Sequence, residues 1–150
     1  MKIDIRDATP DDASIIAAFN QRIAQETEGK LLDIETIRAG VTAVFEDSSK
    51  GRYWIAECDG EIIAQLLITY EWSDWRNGSV WWIQSVYVVP DFRRRGVFSH
   101  LYRTLESYAR EAGDVCGIRL YVEKNNERAL ATYEALGMTG DNYLVMEAMF

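Results

Sequence analysis

Residues 86–102, VYVVPDFRRRGVFSHLY, restrict the fold more than any other part of the chain. An apolar run, Val86, Tyr87, Val88 and Val89, reads as a strand that stops at Pro90, a residue with no N–H to give a ladder. Arg93, Arg94, Arg95 and Gly96 then form a short basic loop. Past it, Val97, Leu101, Leu105 and Ala109 recur at the helical period, with Phe98, Tyr102 and Ala112 beside them. A strand that delivers a loop straight into an amphipathic helix leaves the first N–H groups of that helix unpaired, with the positive end of its dipole facing the loop. With arginines and a glycine in place, the loop reads as a cradle for a polyphosphate. A solvated basic turn paired with nearby acids is the plainer alternative.

The rest of the chain bounds the setting. A length of 150 residues suits one domain, residues 1–150, able to bury a core without disulfides or metal. The composition, 48% hydrophobic and 27% charged, is that of a soluble globular protein. Lys2, Asp4, Arg6 and Asp7 interrupt any leader-like apolar run, and no segment has the length of a membrane span, so no membrane partner is expected. Cys58 and Cys116 lack metal-ligand spacing and the chain holds one histidine, His100, so no metal site is expected. Without a histidine to activate it, Cys116 reads as a small buried thiol. A reduced, cytoplasmic protein follows. The net charge of −8 disfavours nucleic acid as a partner, and suits either solubility alone or a small cationic substrate.

Element by element, residues 2–6 predict a strand, and Thr9, Pro10, Asp11 and Asp12 a helix start. Residues 26–32 read as a loop before a second helix from Asp33. Residues 53–58 and 61–70 predict a hairpin closed by Asp59-Gly60. A polar and aromatic connection, 71–78, leads to a strand over 80–88. After the helix that begins past Gly96, 118–123 predict a strand, 126–136 a helix ended by Gly137, and 143–149 a last strand that closes the sheet. Strand, helix, strand over 80–122 makes one parallel pair within an otherwise antiparallel sheet, an α/β mixed sheet flanked by about four helices.

The pattern Arg93-x-x-Gly96-x-Phe98 after a strand and Pro90 resembles the coenzyme-A loop of the GNAT acetyltransferase superfamily, which usually reads Gln/Arg-x-x-Gly-x-Gly/Ala. A second segment, 118–138, IRLYVEKNNERALATYEALGM, matches the family's other signature through Asn126, Ala129, Tyr133, Glu134 and Gly137, with Met138 for the final aromatic. The resemblance covers essentially the whole chain. It implies a GNAT-like fold with two splayed parallel strands and acetyl-CoA as cofactor. It also implies transfer of acetyl to a primary amine of a small molecule or peptide by direct attack on the thioester. The pantetheine arm would pair with the backbone of Val86, Tyr87 and Val88 as an added strand. Arg93, Arg94, Arg95, Gly96, Val97, Phe98 and Ser99 would hold the phosphates, with Asn126, Ala129 and Tyr133 further along. Family members are often dimers, and by that analogy the apolar run 144–150 would contribute to a homodimer interface.

Acetyl transfer to an amine needs a donor for the carbonyl oxygen, a neutral amine, and a proton for the departing thiolate. Backbone N–H groups near residues 86–88 are candidates for the first. Tyr133 falls at the family's general-acid position, although Leu130, Tyr133 and Leu136 also share a packing face. For the base, the family's strand glutamate is replaced here by Gln84, and Ser85 follows it. A water chain ordered by Gln84 and Ser85, an acid from elsewhere, or an acceptor of low pKa all remain open. Among the acids Glu26, Glu28, Glu71 and Asp74, Glu71 is the first candidate. Four of the five tryptophans cluster at 72, 75, 81 and 82. Trp72 and Trp75 are read equally as substrate lining, with Glu26, Glu28 and Gln84, or as structural caps. The bulky Phe98 and the lost glutamate motivate the alternative of a non-catalytic acyl-CoA-binding regulatory domain.

Overall fold

The computed structural model describes residues 1–140 and 142–150. One sheet takes its strands in chain order. Strands β1 (Asp4–Asp7), β2 (Arg52–Cys58), β3 (Glu61–Ser73) and β4 (Gly78–Val88) are antiparallel neighbours, and β5 (Val115–Leu120) lies parallel to β4. Both faces of the central strands are covered, which is why β2 and β3 are apolar almost without interruption. On one face α1 (Ala13–Glu28) and α2 (Ile34–Glu46) bring Ile16, Ala17 and Val41 onto Tyr53 and Leu67. On the other, α3 (Val97–Glu111) sets Val97, Leu101, Leu105 and Ala109 against Trp54, Leu66, Ile68, Trp81 and Ile83. A final helix, α4 (Glu127–Ala135), follows β5, and Leu136 and Met138 just past it join the α3 side of the core.

The start of α1 is tied to the sheet by charge. Arg6 donates to Asp12 at 2.9 Å and to Glu57 on β2 at 2.7 Å. Asp12, 7% exposed, also accepts from the Thr9 N–H at 2.7 Å and so caps the turn that feeds α1. At Asp33 a second cap accepts from the Thr36 N–H and starts α2.

Several sequence expectations are corrected. The first helix continues to Glu28 and ends on Gly29 at φ 63°, so Glu26 and Glu28 are helical rather than in a loop. Strand β3 runs on to Ser73, which places Glu71 and Trp72 in the sheet. Strand β5 begins at Val115, three residues earlier than 118, and Cys116 is exposed, its thiol against the Ser79 carbonyl. Residues 143–149 form no strand, and β5 is the edge of the sheet. Leu144, Val145 and Met146 are consecutive and apolar, so a strand there would need cover on both faces, and these side chains are exposed. Among the described residues, no helix is long and apolar enough to cross a membrane.

The Arg6–Asp12 pair sets a testable acid response. Hydrogen bonding from Arg6 holds the Asp12 carboxyl below its ordinary value of 3.8. Its contribution is therefore complete above that value and is lost as pH falls through the lower folded value. Asp12→Asn should flatten the stability loss of the wild type in urea titrations below pH 4. Arg6→Met should cost about 2 kcal/mol at pH 7, less than a fully buried pair because Arg6 is partly solvated.

Candidate active site

The site is built around one extra residue. Gln65 pairs with Tyr87 and Leu67 with Gln84, so two steps on β3 face three on β4, and Ser85 and Val86 share the place opposite Leu66. The Val89 N–H donates to the Ile63 carbonyl at 2.8 Å. By antiparallel alternation, Gln65 and Leu67 then turn their backbone groups toward β4, while Leu66 turns its own toward β2. The peptide between Ser85 and Val86 thus has no ladder partner on β3. Ser85 sits at φ 51°, a left-handed conformation uncommon outside glycine. Its carbonyl accepts instead from Nε2 of Gln65 at 3.0 Å, and the same Nε2 donates to Oδ1 of Asn20 on α1 at 2.8 Å. On the far side, pairing of β4 with β5 ends at Ile83 and Leu120. From Gln84 onward that edge of β4 has no strand partner, and Arg93 covers it at the Val88 carbonyl.

The open edge runs directly into the basic loop. A 3-10 turn, Pro90–Phe92, carries the chain off β4, and Arg94 and Gly96 take φ 62° and 77° to bend it into α3. Gly96 caps α3 without a side chain, and the first helical bond is His100 N–H to the Gly96 carbonyl. The N–H groups of Val97, Phe98 and Ser99 are left for a ligand. Three free N–H groups, three arginines and an unpaired strand edge fit a ligand with a phosphate group and an extended amide arm. Arg93 meanwhile folds back, donating to the Val88 carbonyl at 2.8 Å and to Glu26 at 2.9 Å, with its guanidinium over Tyr87.

Phe98 does not fill the loop. Its ring stands edge-on to Tyr133 with centroids 5.5 Å apart, lies 6.3 Å from Tyr102, and packs against the α3 side of the core. The side chain that departs from the family's small residue therefore links α3 to α4. Tyr133 is half-buried there, and burial pushes its hydroxyl above the ordinary value of 10. Asn126 caps α4, its Oδ1 accepting from the Ala129 N–H at 3.1 Å.

A cavity of about 540 Å³ lies between α1, α2 and the sheet and reaches β4 at Ser85. Ile23, Ala24, Leu32, Ile37 and Val41 form apolar walls, while Asn20, Thr27, Tyr53 and Glu28 add polar groups. Burial pushes the Tyr53 hydroxyl up, and the Asn20 side chain acts the other way. Of the acids singled out in the sequence, Glu28 alone lines this space. Glu71 is bound to Arg119 and lies opposite Val80, five residues and about 16 Å along β4 from Ser85. That position takes Glu71 out of direct reach as a base. Asp74 caps the turn at the Trp75 N–H. Trp72 is on β3 and Trp75 is 92% exposed on the turn before Gly78, at the end of β4 remote from Ser85, so neither lines the cavity. Gln84 donates to Thr69 Oγ1 at 2.6 Å. Asn20, Thr27, Tyr53 and Gln65 escaped the sequence reading. Gln65 left a signal, an amide within the apolar run IIAQLLI.

The turn into α3 depends on Gly96. A Cβ there would meet nothing within 4 Å, so Gly96→Ala should act through backbone strain alone. It should lower stability by about 1 kcal/mol in urea unfolding.

Comparison with known proteins agrees with this geometry. The family model for the acetyltransferase (GNAT) family matches residues 17–138. An uncharacterized N-acetyltransferase, YhfO, of Bacillus subtilis (strain 168) is 28% identical over 144 residues, covering 95% of this chain and 94% of the relative. A possible acetyltransferase from Clostridium difficile 630 has a crystal structure that superposes with a TM-score of 0.91 at 44% identity, over 100% of this chain and 99% of that one. A predicted acetyltransferase from Clostridium acetobutylicum, solved with acetyl-CoA, shares the fold at a TM-score of 0.78 and 21% identity, over 97% and 96% of the two chains. With a strand bulge, an open edge and an uncapped helix in sequence, and a family model spanning most of its length, the chain belongs to the GNAT family of acetyltransferases.

Proposed function

We propose that the chain is an acetyl-CoA-dependent N-acetyltransferase acting on a primary amine of a small molecule or peptide. The observation that carries this reading is a continuity along β4. The cavity reaches Ser85, the open edge follows at Val86, and the free N-terminus of α3 lies beyond the loop. Acetyl-CoA, when bound, supplies an acetyl group activated as a thioester. The backbone of Val86, Tyr87 and Val88 holds the extended arm as an added strand. The N–H groups of Val97, Phe98 and Ser99, with Arg94 and Arg95, hold phosphate, and Arg93 joins them by leaving Glu26. The Val86 N–H donates to a carbonyl oxygen that is gaining negative charge. Tyr133, kept neutral by burial, holds a proton for the leaving sulfur.

The acceptor occupies the cavity against α1 and α2. Its walls suit an amine with a largely apolar body, and Glu28 draws the cation in. A second reading, an acyl-CoA-binding domain without catalysis, draws on Gln84, an amide bonded to Thr69 where related enzymes carry a glutamate.

Thiol release from acetyl-CoA in a panel of amines separates the two. Tyr133→Phe should lower kcat about 100-fold, while Glu71→Gln, in its ion pair remote from the bulge, should stay within about twofold. The falling, high-pH limb of the wild-type rate should lie above pH 10, because the burial-raised Tyr133 must remain protonated. Equal turnover by wild type and Tyr133→Phe would remove the acid role, and no turnover with any amine would favour the binding domain. We assign the exposed run 144–150 to contact with a second copy of the chain. Sedimentation should give a dimer that deletion of those residues converts to monomer, and a wild-type monomer would remove that assignment.

A further inference from the structure

Gln65 is costly where it stands. It is 0% exposed, and its Oε1 has no partner. A buried unpaired acceptor destabilises. Its amide orientation is set by chemistry, because the Ser85 carbonyl can only accept and must therefore face Nε2. Asn20 fixes the same nitrogen from α1. The hydrogen bond that results acts on Ser85, which occupies a left-handed conformation that a serine does not take unaided.

The consequence lies one atom further on. In a trans peptide the carbonyl and the following N–H point in opposite directions. With the Ser85 carbonyl held on Gln65, the Val86 N–H is directed away from it, and Leu66 offers that N–H no ladder acceptor. We propose that Gln65 is a positioning residue for the reaction, one that fixes the Val86 N–H as the donor to the thioester carbonyl oxygen by clamping the Ser85 peptide. The inference rests on the acetyltransferase reading given above. It gives the orphaned Oε1 a reason: the side chain is kept for the donor it aims and not for stability.

The test uses the whole chain, with Gln65→Met to remove the donor at similar volume and Gln65→Glu to make it switchable. Acetyl-CoA affinity is measured by calorimetry, the Val86 amide by nitrogen–proton NMR during the same titration, and turnover by thiol release. In the wild type the Val86 amide proton should move downfield on binding, more than the Tyr87 and Val88 amides. In Gln65→Met that shift should be lost and kcat should fall 10- to 100-fold, with acetyl-CoA affinity within about threefold. A carboxyl at this buried position donates only when protonated, and burial raises its pKa. The ratio of Gln65→Glu to wild-type turnover should therefore climb as pH falls. A Val86 amide that ignores acetyl-CoA, or that shifts equally in Gln65→Met, overturns the proposal even if the enzyme is active. So does unchanged kcat in Gln65→Met. Should Gln65→Met not fold, Gln65→Glu decides: a ratio of its turnover to wild type that does not change with pH overturns the proposal. Absence of any acetyl-CoA binding by the wild type would instead sink the acetyltransferase reading itself, and the calorimetry shows that separately.

Discussion

The rest of the site depends on the one-residue excess in β4. A strand in perfect register with β3 would spend every backbone group on its neighbours or on β5. Inserting Ser85 frees one peptide from the ladder, bends the strand, and coincides with the end of β4–β5 pairing at Ile83 and Leu120. Strand edges left open are usually hazards that proteins cover. Here the edge is internal, bounded by β3 on one side and by the parting β5 on the other, which makes it accessible to an extended ligand without exposing a long free edge to other chains. The conformational cost falls on Ser85, and a buried amide from β3 holds it there.

The second dependence is between α3 and α4. Phe98 stands in the first turn of the helix whose N-terminus forms the cradle, and its ring rests on Tyr133. The residue that crowds the loop in sequence thus couples the two ends of the site in space. The first turn of α3 and the Tyr133 ring are joined by this aromatic pair, worth about 1 kcal/mol beyond its buried area. On the opposite side, Arg93 joins the loop to Glu26 on α1, so the basic loop and a helix that lines the cavity share a contact.

Much of this was legible in the sequence, and the reasons are local. Strand, proline, arginines, glycine and helical period in 86–112 carry their own structural meaning, because caps and turns act over a few residues. Asn126, which caps α4, is readable in the same way. What escaped is non-local. The bulge arises from a register between strands about 20 residues apart, and nothing within IQSVYV marks Ser85 as the extra residue. The pairing of Glu71 with Arg119 is non-local too, because β3 extends three residues past Tyr70 and carries it there. The direction of the Phe98 ring depends on Tyr133 of α4, 35 residues downstream in sequence. The apolar run at 143–149 met the composition of a strand, yet composition does not supply the neighbour that a strand needs.

The most direct measurement is calorimetric titration of the purified chain with acetyl-CoA, repeated with a variant in which Val97 is proline. Proline at the first helical position keeps the helix but removes one N–H from the cradle. The account predicts micromolar, one-to-one binding by the wild type and weakening of about tenfold in the variant. Wild-type binding absent up to millimolar acetyl-CoA, or equal affinity in both proteins, would contradict it.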